Sequence, residues 1–214
     1  MEVADGIVKV DGTRGGNVYL VVAGSGVVVI DTGIPGNSAR ILAALDSHGF
    51  RTADLRAIVL THWHPDHVGT AAALRQATGA PVAIGEADAP ILAGGDLPAK
   101  GRRAMRAVTR LLRVRSLDAD IVLRPGDAIE GLEVVGAPGH TAGSIALRHA
   151  SGVLFTGDAV LGDRHGGLQP PDSRLSLDPD RATASMNKLL GLAPRLILAG
   201  HGAPVDHPAT RIGA

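Results

Sequence analysis

Short runs of valine, isoleucine and leucine alternate along this chain with stretches where apolar residues recur every three or four positions. The runs at Ile7 to Val10, Asn17 to Ala23 and Gly26 to Ile30 are rich in β-branched residues and predict strands. Gly24-Ser25-Gly26 marks a hairpin turn between the last two. From Ser38 to about His48, Ile41, Leu42 and Leu45 repeat at helical spacing, and Gly49 supplies a stop. Ala57 to Leu60 is a fully apolar strand. A helix is expected from Asp66 to Ala77, then a short strand at Val82 to Ile84. The segment from Glu86 to Asp120 breaks this rhythm, with Gly94-Gly95, Pro98 and a basic helix from Arg102 to about Arg115. Strand character resumes at Leu132 to Val135, Ser144 to Arg148 and Val153 to Phe155. A helix over Asp180 to Leu190 and a last buried strand at Leu196 to Ala199 close the pattern.

Strand groups alternate with helices in each half, and several strands are apolar throughout. That predicts sheets covered by helices, with two facing sheets or an open doubly wound sheet both compatible. No glycine-rich dinucleotide fingerprint follows any strand, which weighs against the latter.

Composition narrows the function classes. The 214 residues are 45% hydrophobic and 20% charged, as expected of one globular domain with an inserted helical or lid segment near 86–120. Aromatics are only 2%, so the core must rest on aliphatic side chains. Formal net charge is zero, which gives no electrostatic case for nucleic acid or a membrane surface. Of 21 basic residues only three are lysines, leaving 18 arginines, a bias read as genomic composition. Without cysteine there are no disulfides, thiolate ligands or cysteine nucleophile. No apolar leader precedes Ile7, and the longest apolar stretch, Val18 to Ile30, is interrupted by glycine. A cytoplasmic protein is therefore the expectation.

The chemistry concentrates after Leu60. Thr61-His62-Trp63-His64-Pro65-Asp66-His67 places three histidines and an aspartate within six residues. Imidazole and carboxylate are donors preferred by zinc and similar metals, and this many in one stretch suit two ions better than one. His140, Asp158 and His201 each lie in a glycine-containing turn beside an apolar run. There a side chain can project into a cleft.

In that order, His62-x-His64-x-Asp66-His67, His140, Asp158 and His201 resemble the motif series of the metallo-β-lactamase-fold hydrolases, in particular the glyoxalase-II-like branch. Asp31, in Ile30-Asp31-Thr32-Gly33, matches an early motif of the same family. The resemblance spans nearly the whole chain and implies an αββα sandwich with the site at one edge of the sheets. It further implies His62, His64 and His140 on one divalent ion and Asp66, His67 and His201 on a second. Asp158 would bridge them, and Asp31 would support the ligands from behind. Zinc is the expected ion, with iron and manganese also compatible. Asp66 would orient a hydroxide and receive a proton during turnover.

The expected activity is hydrolysis of a small ester, thioester or lactone. Class B β-lactamases usually carry a cysteine ligand or are secreted, and acyl-homoserine lactonases typically use a tyrosine from the second half, whereas Tyr19 is the sole tyrosine here. Flavodiiron proteins replace the second histidine of the motif with glutamate, and His64 argues against them. A complete glyoxalase II adds a helical region beyond the last histidine, and the sequence stops at Ala214, so a shortened glyoxalase-II-like thioesterase is the nearer expectation. A phosphodiesterase or nuclease of the same fold and a non-haem iron persulfide dioxygenase are the alternatives. His165, after Asp158, is a candidate substrate contact. The basic helix is an amphipathic surface or, on a sharper reading, a lid or homodimer contact offering arginines to an acidic substrate. His48, His149 and His207 are expected to be surface or structural.

Overall fold

The computed structural model describes residues 1–24 and 26–208. In chain order the strands are β1 (Glu2–Ala4), β2 (Ile7–Lys9), β3 (Tyr19–Ala23), β4 (Gly26–Ile30), β5 (Leu55–Leu60), β6 (Val82–Gly85) and β7 (Ile121–Leu123). They continue with β8 (Ala128–Ile129), β9 (Leu132–Gly136), β10 (Ile145–Arg148), β11 (Val153–Gly157), β12 (Leu161–Gly162), β13 (Leu168–Gln169), β14 (Leu196–Ala199) and β15 (Val205–Asp206). The helices are α1 (Ser38–Ser47), α2 (Pro65–Val68), α3 (Ala71–Thr78), α4 (Ala89–Leu92), α5 (Arg102–Leu112) and α6 (Pro179–Gly191).

Strands β1 to β7 form one sheet in sequence order, and a second sheet runs β15-β14-β11-β10-β9-β8. The β3–β4 hairpin pairs Tyr19 with Ile30 and Ala23 with Gly26, while Ser25 of the expected turn lies outside the described residues. From β4 to β7 the pairing is parallel, as it is between β11 and β14. Each such connection must therefore cross over, and the 86–120 segment with α4 and α5 is the crossover between β6 and β7.

Strand alternation decides the layers. On β4, Val28 and Ile30 point inward to Val134, Leu147, Phe155 and Leu198 of the facing sheet. Val27 and Val29 point outward to Ile41 and Leu45 of α1, with Leu74 of α3 in the same cluster. On the far side Leu154 and Ile197 pack with Leu189 of α6. Each fully buried aliphatic or aromatic side chain contributes roughly 1.5–3 kcal/mol. The result is the expected αββα sandwich, and it explains why these strands are apolar on both faces.

The expected helix over 66–77 is divided. The Gly69 N–H donates to Gly33 O (2.9 Å) and the Thr70 N–H to Thr32 Oγ1 (3.2 Å), so neither bonds back along the helix. A side chain at 69 would meet Pro35 at 2.4 Å. The break leaves the Asp66 carbonyl to accept from Gly16 N at 2.8 Å. The basic helix stops at Leu112 because Arg113 turns left-handed, at φ 56°. The short strands β1, β7, β8, β12, β13 and β15 carry no clear alternation in the sequence.

Candidate metal centre

The strand ends of both sheets meet along one edge. Asp31 follows β4, the histidine stretch follows β5, and Asp88 follows β6, each at the C-terminal end of a parallel strand. Asp158 and His201 follow β11 and β14, also parallel neighbours, and His140 lies in the β9–β10 loop. Backbone bonds fasten the two edges together: Ile145 N donates to Thr61 O (3.0 Å) and Asn17 N to Gly200 O (2.7 Å). Tyr19, stacked edge-on against Phe155, donates its hydroxyl to Ala199 O at 2.7 Å, so it belongs to the core between the sheets.

All seven predicted donors converge. They fall into three overlapping groups whose ligand atoms lie within 4.8 Å of one another: His62, His64 and His140; His62, His67 and Asp158; and Asp66, His67 and His201. His140 Nε2 is 2.9 Å from His64 Nδ1, and His67 Nε2 is 3.3 Å from His201 Nε2. Asp158 sits between the groups, with Oδ1 3.4 Å from His67 Nε2 and Oδ2 3.6 Å from both His140 Nε2 and His201 Nε2. Asp66 Oδ2 is 3.1 Å from His201 Nε2.

The hydrogen bonds behind these atoms fix which lone pairs are free. Asp31 accepts from Thr61 N and Thr61 Oγ1, both at 2.8 Å, and from His67 Nδ1 at 2.9 Å. With its proton given to Asp31, the Thr61 hydroxyl oxygen accepts from His62 Nδ1 at 3.0 Å. In its neutral form each imidazole then presents a bare Nε2 to the cluster. Asp31 adopts φ 55°, a left-handed conformation that aspartate tolerates better than most residues and that directs its carboxylate into the loop.

Electrostatics favour the donor form of His62, His64, His140 and the carboxylates, whereas His67 and His201 are favoured in the protonated form, whose proton a metal must displace. Burial, reinforced by neighbouring histidines, lowers His62 well below the usual imidazole range and His64 to about 3. Burial also lowers His140. Burial would lower His67 too, but Asp158 and Asp31 on either side of it hold it well above its ordinary value. His201 is raised by its hydrogen bond to Asp66. Against the cost of burial, His67 keeps Asp158 below the carboxylate range, and His201 brings Asp66 down to about 2.

His62 Nε2 and Asp158 Oδ1 are buried in the cluster without a hydrogen-bond partner, an expense that protein interiors avoid unless another group is served. Nitrogen facing nitrogen at 2.9–3.3 Å around a carboxylate is the arrangement a cation resolves. The donor set, all imidazole and carboxylate, fits divalent metal ions.

Sequence reasoning missed Asp88. This buried carboxylate accepts from Thr141 Oγ1 (2.6 Å), Gly143 N (2.8 Å) and Trp63 N (3.1 Å), tying the β5 loop to the His140 loop. Burial pushes it up to about 6 in spite of those bonds. An aspartate beginning an ordinary helical turn carries no motif that would have singled it out.

His165 is exposed, its ring accepting from Arg164 Nε at 3.1 Å and its N–H donating to Asp163. Asp172 and Leu175, not His165, line the cleft on that side. Of the α5 arginines, Arg102 lines an outer cavity that includes His64. Arg106, Arg110 and Arg113 border a separate cavity of about 760 Å³ behind Trp63 and Pro65, while Met105, Val108 and Leu112 face the cleft. His48, His149 and His207 are on the surface as expected. Among the described residues no helix is long and apolar enough to cross a membrane.

Known proteins agree with this geometry. The family model of the metallo-beta-lactamase superfamily matches residues 11–201. The chain is 29% identical over 209 residues to Beta-lactamase-like protein 2 homolog of Drosophila melanogaster, covering 93% of this chain and 62% of that protein. It is 39% identical over 164 residues to a hydroxyacylglutathione hydrolase of Cereibacter sphaeroides, covering 75% of this chain and 52% of that enzyme. It thus spans only about half to two thirds of the length of these curated relatives. The solved structure of TTHA1623 in a di-iron-bound form superposes with a TM-score of 0.73 at 31% identity, covering 95% of this chain and 96% of that one. By its strand-end donors, its αββα layers and this match, the chain belongs to the metallo-beta-lactamase superfamily, whose members are generally metal-dependent hydrolases.

Proposed function

We propose that this protein is a binuclear metal-dependent hydrolase that cleaves a small ester, thioester or lactone. The observation that carries the reading is the convergence of seven histidine and aspartate donors, with His62 Nε2 and Asp158 Oδ1 buried and unpartnered and with His64, Asp66, Asp158 and His201 lining a cleft. His62, His64 and His140 would hold one ion and Asp66, His67 and His201 the other, with Asp158 shared. When bound, two such ions lower the pKa of water towards neutrality and offset the negative charge that develops in acyl transfer.

The chain's own groups do the rest. Asp31 and Thr61 hold His67 and His62 in the tautomers that leave Nε2 free. Asp66 is the partly exposed carboxylate of the set and lines the cleft, so it can orient the attacking water and accept its proton at Oδ2 for transfer to the leaving group. No serine, cysteine or lysine nucleophile is required. The apolar cleft and zero net charge favour acyl over phosphate substrates.

Purified protein loaded with zinc, iron or manganese should hydrolyse members of an ester, thioester and lactone panel, and His64→Ala should abolish that activity. A flat response from protein with two metals per chain would defeat the reading. One iron per chain with oxygen uptake would point instead to the dioxygenase alternative, for which the di-iron form of the similar structure gives reason to test iron.

A further inference from the structure

The cleft has an apolar wall that the hydrolytic chemistry leaves unused. Met105, Val108 and Leu112 recur at helical spacing on α5 and, with Leu161 and Leu175, enclose about 320 Å³ above His64, Asp66, Asp158 and His201. No residue of α5 is buried, and Val108 and Leu175 are 42% and 56% exposed. Met105 packs partly against the core, but Val108 and Leu175 gain little from folding, since burial is what would stabilise them, and gain more when something apolar enters.

The wall continues outward. A second cavity of about 160 Å³ shares His64, Met105, Val108 and Leu175 and extends to Leu97 and Leu177. Lys100, Arg102 and Arg174 also line this outer cavity, and Asp172 borders the inner one. The Lys100 ammonium donates to the Ser176 carbonyl, fastening the approach to α5 to the Asp172–Leu177 segment, so the two apolar walls are held together. The inner volume is at the lower end of ligand sites, about 300–1,000 Å³, and suits a short chain.

From this we infer that the trough between α5 and Leu175 binds a hydrocarbon chain attached directly to the scissile group, making the substrates esters or thioesters that carry an uncharged, medium-length hydrocarbon chain on one side of that group. This rests on the hydrolytic reading above. The chain can belong to the acyl group or to the leaving group, and two substrate series separate them.

With metal-loaded protein, kcat/KM is measured for thioesters of lengthening acyl chain on one thiol, and for acetyl thioesters of lengthening alkyl thiol. In one series it should rise roughly fourfold per methylene, about 0.8 kcal/mol each, until the trough is filled. The series that rises identifies the side. Val108→Asp, at an exposed helix position, should collapse the octanoyl-to-acetyl ratio, or its thiol equivalent, and Val108→Leu should retain it. Flat profiles in both series, an unchanged ratio in Val108→Asp, or preference for an end-charged succinyl chain would overturn the inference. Failure to hydrolyse any ester or thioester would overturn the hydrolytic reading instead. The trough would then be judged by binding of methyl alkyl ketones, whose affinity must rise with chain length in the wild type and stay flat in Val108→Asp.

Discussion

A single oxygen, Asp31 Oδ2, lies 2.9 Å from His67 Nδ1 and 2.8 Å from Thr61 Oγ1, so one carboxylate governs the orientation of two imidazoles in the β5 loop. Removing such a support typically costs about 10–100-fold in metal affinity or activity. Asp31→Ala should therefore weaken metal binding by that factor, as read by chelator competition. An affinity equal to wild type would show that Asp31 only shapes its turn.

Asp88 makes a different prediction because it touches none of the donors. Asp88→Ala leaves Trp63 N, Gly143 N and the Thr141 hydroxyl without their acceptor in a buried setting. Each costs about 1–3 kcal/mol if it stays unsatisfied. The urea midpoint should fall while the slope of the transition stays constant. Asp88→Asn, which keeps the shape and one acceptor oxygen, should fall less.

Gly200 tests how closely the backbone must approach the cluster. A Cβ there would meet Asp158 Oδ1 at 2.3 Å and His67 Cε1 at 2.7 Å. Gly200→Ala should reduce the metal content of purified protein with little change in circular dichroism. Full metal content would show that Asp158 can move aside at no cost.

The pH dependence of the metal-free protein follows from His64. Its ordinary value is 6.5, and in the fold burial and the neighbouring histidines bring it to about 3. Between those values the unfolded chain binds a proton that the folded chain refuses. The contribution is complete above pH 6.5 and is lost progressively as the pH falls to about 3. Relative to His64→Asn, the wild type should lose up to about 1.4 kcal/mol of stability per pH unit across that window. Parallel stability profiles from denaturant melts would count against a neutral, buried His64.

Much of this site was legible because its donors stand at the ends of apolar strands beside glycine, where strand pattern and ligand chemistry coincide. His140, Asp158 and His201 could be placed that way without knowing which strands were neighbours. Asp88 could not, since its partners are backbone N–H groups and a threonine that proximity alone brings together. The divided helix was also hidden: Gly69 and Thr70 are compatible with a helix until Gly33 and Thr32 compete for their N–H groups. On α5 the apolar stripe was visible, but periodicity says which residues share a face and not what that face meets. The sequence is compatible with a plain surface helix and with a lid that offers arginines, and it is the fold that stands Met105 and Val108 over the cleft.

Each of the three donor groups draws two members from the β1–β7 sheet and one from the other: His140, Asp158 or His201. An ion in any of them would therefore act as a rivet through the sandwich. Neither half of the chain alone could offer three donors from one of these groups, so metal capture would be coupled to the docking of the two halves. Saturating metal should then raise the resistance of the whole fold to unfolding, according to its free concentration relative to its dissociation constant, rather than stiffening one loop.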